Sequence, residues 1–150
     1  MEISRRDLCA LIPAAAFLTA LPLESQTTAN RTLETLSNSQ VFPFDKLPVH
    51  RSANGVETRH VLRGKLPTGE VVEVHETLLP AGAMPHPPHH HLHSEMWLVR
   101  EGTVELMVEG HGQRVGPGGV GFAASNQEHG IKNVGSGPAQ YFVVAIGPTA

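Results

Sequence analysis

From residue 41 onward, short apolar runs alternate with turn-forming residues. Residues 56–66 and 70–79 flank Pro67-Thr68-Gly69, a combination that predicts a hairpin. Pro80-Ala81-Gly82 ends the second run, and residues 95–101 and 104–108 flank Gly102-Thr103. Gly110-His111-Gly112 predicts a further turn, and the runs 120–123, 129–134 and 140–146 complete the series. Strand-like runs roughly ten residues apart, with few helix signals, predict an all-β sandwich or barrel. The 15 Gly and 12 Pro agree, since a helical bundle has no use for so many turn formers. Aromatic residues make up only 5% of the chain, so the core must be built mainly from Val, Leu, Ile and Ala.

The first 40 residues read differently. Ser4-Arg5-Arg6 precedes an apolar run over residues 8–21 that contains Pro13 and is too short to span a bilayer comfortably. A charged segment before a short apolar one reads as an export signal, and the arginine pair resembles the twin-arginine kind, which carries folded proteins. Leu8 stands where that pattern has Phe. Residues 1–20 are therefore expected to be a cleaved signal and 21–40 a polar linker, with one short helix where Leu33 and Leu36 share helical spacing. Residues 41–150 form the single β domain. The expected location is periplasmic or secreted, with no membrane attachment after processing. Cleavage would remove Cys9, the only cysteine, so any metal must be held by N and O donors. The net charge of −3, with no basic cluster beyond Arg5 and Arg6, argues against nucleic-acid binding.

The stretch 87–102, PPHHHLHSEMWLVREG, carries the chemistry. Side chains alternate faces along a strand, so the odd-numbered His89, His91, Glu95, Trp97 and Val99 share one face if the strand is regular. Two imidazoles and a carboxylate suit a borderline divalent ion: Fe, Mn, Ni, Cu or Zn. The alternative is a solvated His tract that scavenges metal loosely, since five of residues 86–93 are His. The matching parity of Glu95 and the strand-like MWLV that follows favour an ordered site. A third imidazole should come from another strand, and His129, just after the turn-like Ala124-Ser125-Asn126-Gln127, is the candidate.

These residues resemble the cupin superfamily. Its first motif pairs His-x-His with a Glu four residues on and a Gly seven later, as His89, His91, Glu95 and Gly102 do. Gly118, His129 and Asn133 sit at the spacing of its second motif. Ala124 replaces a Pro and Asn126 a Gly, and Asn tolerates the positive φ such a turn requires. One extra residue lies between Gly82 and His89. The resemblance covers about residues 55–147. It implies a single jelly-roll barrel of the double-stranded β-helix type and one divalent metal per chain, held by His89, His91, Glu95 and His129. It also implies open coordination positions and a homodimer. His86, His90 and His93 match no ligand position and are expected at the rim or in solvent, so His93→Ala should cost little. Trp97, Val99, Phe122 and one face of residues 141–146 are expected to line a largely apolar pocket that admits a small molecule to the metal.

Three functions fit. The first is a dioxygenase-type enzyme acting on a small phenolic or enolic compound, with Glu95 accepting a proton. The second is a Lewis-acid isomerase or lyase, which needs a further acid or base; His75, Glu76 and Tyr141 are available, but no spacing ties them to the site. The third is a non-catalytic module that binds a metal or small ligand.

Overall fold

A computed structural model describes residues 33–148, and the expected export signal and its arginine pair lie outside the described residues. After a 3-10 turn at Phe44–Lys46 come nine strands. They are β1 (Val49–Arg51), β2 (Glu57–Lys65), β3 (Val71–Leu79), β4 (Ser94–Glu101), β5 (Val104–Val108), β6 (His111–Val115), β7 (Val120–Ala123), β8 (His129–Asn133) and β9 (Ala139–Ile146). One sheet runs β1-β2-β3-β9-β4-β7 and the other β6-β5-β8, with antiparallel pairing throughout. The expected all-β barrel is what forms. No helix among the described residues is long and apolar enough to cross a membrane.

Sequence alternation explains the core. In β9, Ala139, Tyr141, Val143 and Ala145 are buried while their neighbours are more exposed. Residues paired directly across antiparallel strands share a face, so register extends this inner face sideways. His60, His75, Val143, Trp97 and Gly121 form one row, and Thr58, Thr77, Tyr141 and Val99 the next. A third row runs Glu73, Ala145, Glu95, Ala123, which puts the Glu95 carboxylate on the concave side.

Two expectations need correction. The turn expected at residues 110–112 lies one residue earlier, because Glu109 (φ 50°) and Gly110 (φ 75°) form a two-residue hairpin loop with both φ positive. His111–Val115 is therefore a strand, hidden in the sequence because it is polar and contains Gly112. No helix joins Leu33 and Leu36. Short β1 pairs only with residues 57–59 of β2, which leaves the far end of β2 open. Leu36 donates to the Lys65 carbonyl (2.8 Å) and Lys65 to the Glu34 carbonyl (2.9 Å), so this part of the polar segment is extended. Gly64 permits the contact: a Cβ there would lie 2.7 Å from Leu36 Cγ.

Two motif residues hold the loops. Gly102 (φ 76°) follows a register shift in β4, and a Cβ would lie 2.6 Å from the Pro138 carbonyl oxygen. Asn133 is fully buried. Its Nδ2 donates to the carbonyls of Leu79 and Gly137 (both 2.8 Å), and its Oδ1 accepts from the Gly135 amide (2.9 Å). Asn133→Ala would strand the buried Leu79 carbonyl and untie the loop at Gly135 and Gly137, and an unmade buried hydrogen bond costs more than a made one contributes. A loss of about 3 kcal/mol in urea unfolding, with unchanged m-value, is expected.

Candidate metal centre

His89 and His91 precede β4 rather than lying on it, so their positions come from hydrogen bonds to another strand. His89 and His129 exchange backbone hydrogen bonds (3.0 and 2.8 Å) as an isolated antiparallel bridge. The Asn126 amide donates to the His91 carbonyl (2.8 Å). Asn126 has φ 62°, the positive value expected for an Asn at that family position. Glu95 arrives from β4, one turn of the pleat before buried Trp97.

The ring orientations are fixed chemically. His91 Nδ1 lies 2.8 Å from the His93 carbonyl and His129 Nδ1 2.8 Å from the Gln127 carbonyl. A carbonyl only accepts, so both Nδ1 atoms carry a proton, and in the neutral ring that leaves the lone pair on Nε2. Those Nε2 atoms are buried without a hydrogen-bond partner, as is His89 Nδ1. One nitrogen from each of His89, His91 and His129 lies within 4.8 Å of the others. Glu95 Oε1 is 3.2 Å from His91 Nε2, and Oε2 is 3.6 Å from His129 Nε2. Burial, followed by neighbouring His86, holds the His89 pKa below its ordinary value and favours the neutral, ligating form. Three buried imidazole nitrogens without hydrogen-bond partners, two of them beside the Glu95 carboxylate, fit a divalent ion with N/O ligands. The structure thus gathers His89, His91 and His129 into one donor group and sets Glu95 against two of them, His91 and His129.

His93 departs from expectation. It is only partly exposed, stacks on His91 (centroids 3.4 Å apart, planes at 15°) and points Nε2 at Glu95 Oε1 (3.4 Å). His91, His93 and Glu95 form a second trio of donors overlapping the first. The cause is the irregular backbone before β4, which suspends the parity that would have turned His93 away. His86 and His90 are exposed, though the His86 ring packs against His89 (4.3 Å).

Beside the cluster lies a cavity of about 450 Å³, reached by Glu95 and His129. Trp97 lines it, with Val56, Ile131 and Val143. Val99 does not: it is buried in the core. Phe122 does not either. It is 58% exposed and borders a separate recess between β6 and β7, because it pairs with Met96 on the outer face. The cavity is also more polar than expected, since Thr58, His75, Thr77 and Tyr141 line it. Burial raises the Tyr141 pKa and lowers that of His75, so both are neutral near pH 7. Their odd parity on β3 and β9 was the available signal, and only the strand order showed that both strands border the site. Glu76 faces the other way, fully buried against Arg59 (2.8 Å).

Fold and cluster together define a cupin-type barrel with a candidate mononuclear metal centre. A family model described as Cupin domain matches residues 74–145, which include all four candidate ligands. No curated protein sequence matches the chain. Several solved structures share the fold. An RmlC-like cupin from Shewanella frigidimarina has a TM-score of 0.61 at 19% identity, over 73% of this chain and 93% of that one. A predicted oxalate decarboxylase from Thermotoga maritima has 0.62 at 20%, over 73% and 100%. KdgF from a Halomonas species has 0.62 at 18%, over 72% and 94%. The family model spans just under half of the chain, and at these identities the structures speak to fold alone.

His91→Ala is expected to abolish stoichiometric metal binding, measured by elemental analysis after dialysis. His93→Ala should retain one site per chain but weaken it about tenfold, the scale on which groups that orient metal ligands act. Chelation should lower the Tm of metal-loaded wild type and leave that of His91→Ala unmoved.

Proposed function

We propose that this protein is an exported mononuclear metalloenzyme of dioxygenase type acting on a small phenolic or enolic compound. The observation that carries the reading is the convergence of three unpartnered imidazole nitrogens, two of them beside Glu95, next to a cavity sized for a small molecule that Glu95 and His129 line. His89, His91, Glu95 and His129 would hold the ion. A divalent ion there supplies Lewis acidity, and Fe, Mn, Ni or Cu adds redox chemistry with O2. The carbonyls of His93 and Gln127 keep the imidazoles aimed before any ligand arrives. Trp97, Ile131 and Val143 exclude water from one side of the cavity. Glu95 Oε1 is placed to take a substrate hydroxyl proton, with His93 Nε2 at 3.4 Å to steady the carboxylate. Export rests on Arg5-Arg6 and the apolar residues 8–21, and a twin-arginine route would let the metal be chosen before export.

One observation favours a second reading. His75 and Tyr141 border the same cavity and supply the further proton-handling group that an isomerase or lyase needs.

Elemental analysis of protein from the exported fraction of its host, followed by O2-uptake assays against catechols and enolic acids, separates these readings. About one Fe, Mn, Ni or Cu per chain with substrate-dependent O2 uptake is expected. One Zn without O2 uptake would transfer the reading to Lewis-acid chemistry, and no metal would end both.

A further inference from the structure

The same concave sheet face carries a second group of metal-ligating side chains that shares no residue with the cluster above. His60 on β2 and Glu73 and His75 on β3 stand side by side through the pairings His60↔His75 and Arg63↔Glu73. Glu73 Oε1 lies 3.9 Å from His60 Nδ1 and 3.8 Å from His75 Nδ1. Those separations are too long for hydrogen bonds, and His75 Nδ1 is buried with no partner. Each pair, however, fits two donors on one ion, which stand at most roughly 4.2 Å apart, although the three donor atoms do not yet gather within 4.8 Å of one another. The His60 and His75 rings are 6.0 Å apart, and the 60% exposed His60 has the freedom to swing inward. Exposed His50 stands next in line, 5.9 Å from His60. Glu73 Oε2 is occupied by Arg63 Nε (3.1 Å), which leaves Oε1 as the free donor and places a repelling cation nearby.

We propose that His60, Glu73 and His75 form a second, weaker site for a borderline divalent ion such as Co, Ni, Cu or Zn. Two imidazoles and a carboxylate suit these ions, and the nearby Arg63 and the required movement of His60 make the site weaker than the inner one. His75 and His50 both line the main cavity, so an ion here stands beside whatever small molecule the cavity holds. Excess metal would then compete for that space.

The test is a titration of the full chain, purified without a polyhistidine tag and stripped of metal, with Zn2+ by calorimetry and with Co2+ by its visible absorption. Two equivalents are expected, the second at least tenfold weaker. His60→Gln and Glu73→Gln should each weaken only the second by tenfold or more, and His91→Ala should remove the first and keep the second. His60 is exposed, so its variant is the one least coupled to folding. Saturation at one equivalent overturns the proposal. So does a second equivalent that survives both variants and disappears instead in the double variant His86→Gln/His90→Gln. A chain that binds the outer equivalent but no inner one would sink the proposed function and leave this site standing.

Discussion

The site depends on the backbone bridge between His89 and His129. These residues belong to segments far apart in the chain, and neither His89 nor His91 is held by a strand of its own. Two reciprocal hydrogen bonds at the bridge, and a third from the Asn126 amide to the His91 carbonyl, lock the loop before β4 onto the start of β8. Without them, three imidazoles and a carboxylate would have no reason to gather in a part-buried wall, where each pays a desolvation cost. The left-handed backbone at Asn126 aims one of those amides, so a turn residue remote from the chemistry decides where an imidazole points.

Packing behind the cluster is equally constrained. Trp97 is buried and its ring lies 5.3 Å from that of His129, so the indole backs the imidazole and borders both the metal-side cavity and the recess near Phe122. Gly121 pairs with Trp97 across β4 and β7, and a Cβ there would stand 2.2 Å from Leu106 Cδ1. That glycine therefore lets the indole and Leu106 close the core between the two sheets. On the opposite face of the large sheet, Glu76 is buried against Arg59, and the Phe44 ring lies 4.7 Å from that guanidinium. The segment before β1 thus covers one buried ion pair while leaving the concave face free.

The strands and the four candidate ligands were legible because each rests on a local signal. Alternation fixed β9, turn residues bounded β2 and β3, and motif spacing joined His129 to His89, His91 and Glu95. What was not legible depends on long-range pairing. Phe122 shares no parity with its inward neighbours once its pairing with Met96 is known, and β6 has too few apolar residues to announce itself. Val99 has the right parity and shares a row with Thr58, Thr77 and Tyr141, which line the cavity, but it stands at the β4 end of that row, a sideways position that alternation does not encode. The extended Glu34–Leu36 segment follows from the open end of β2, which no local pattern describes. His93 failed for a different reason: parity holds only within regular strand, and the backbone there is irregular.

The cluster also bears on stability. His89, His91 and His129 bury nitrogens with no hydrogen-bond partner, an arrangement that costs free energy. An ion would satisfy those lone pairs together, and since the unfolded chain offers no preformed site, its binding energy would add to folding energy. The hydrogen bonds from His91 and His129 to carbonyls limit how far the two rings turn, because rotating either would break the bond that sets its tautomer. The His89–His129 backbone bridge likewise keeps two of the candidate ligands side by side. The outer group around Glu73 has no such bridge, and an ion there would come and go with the motion of one exposed ring.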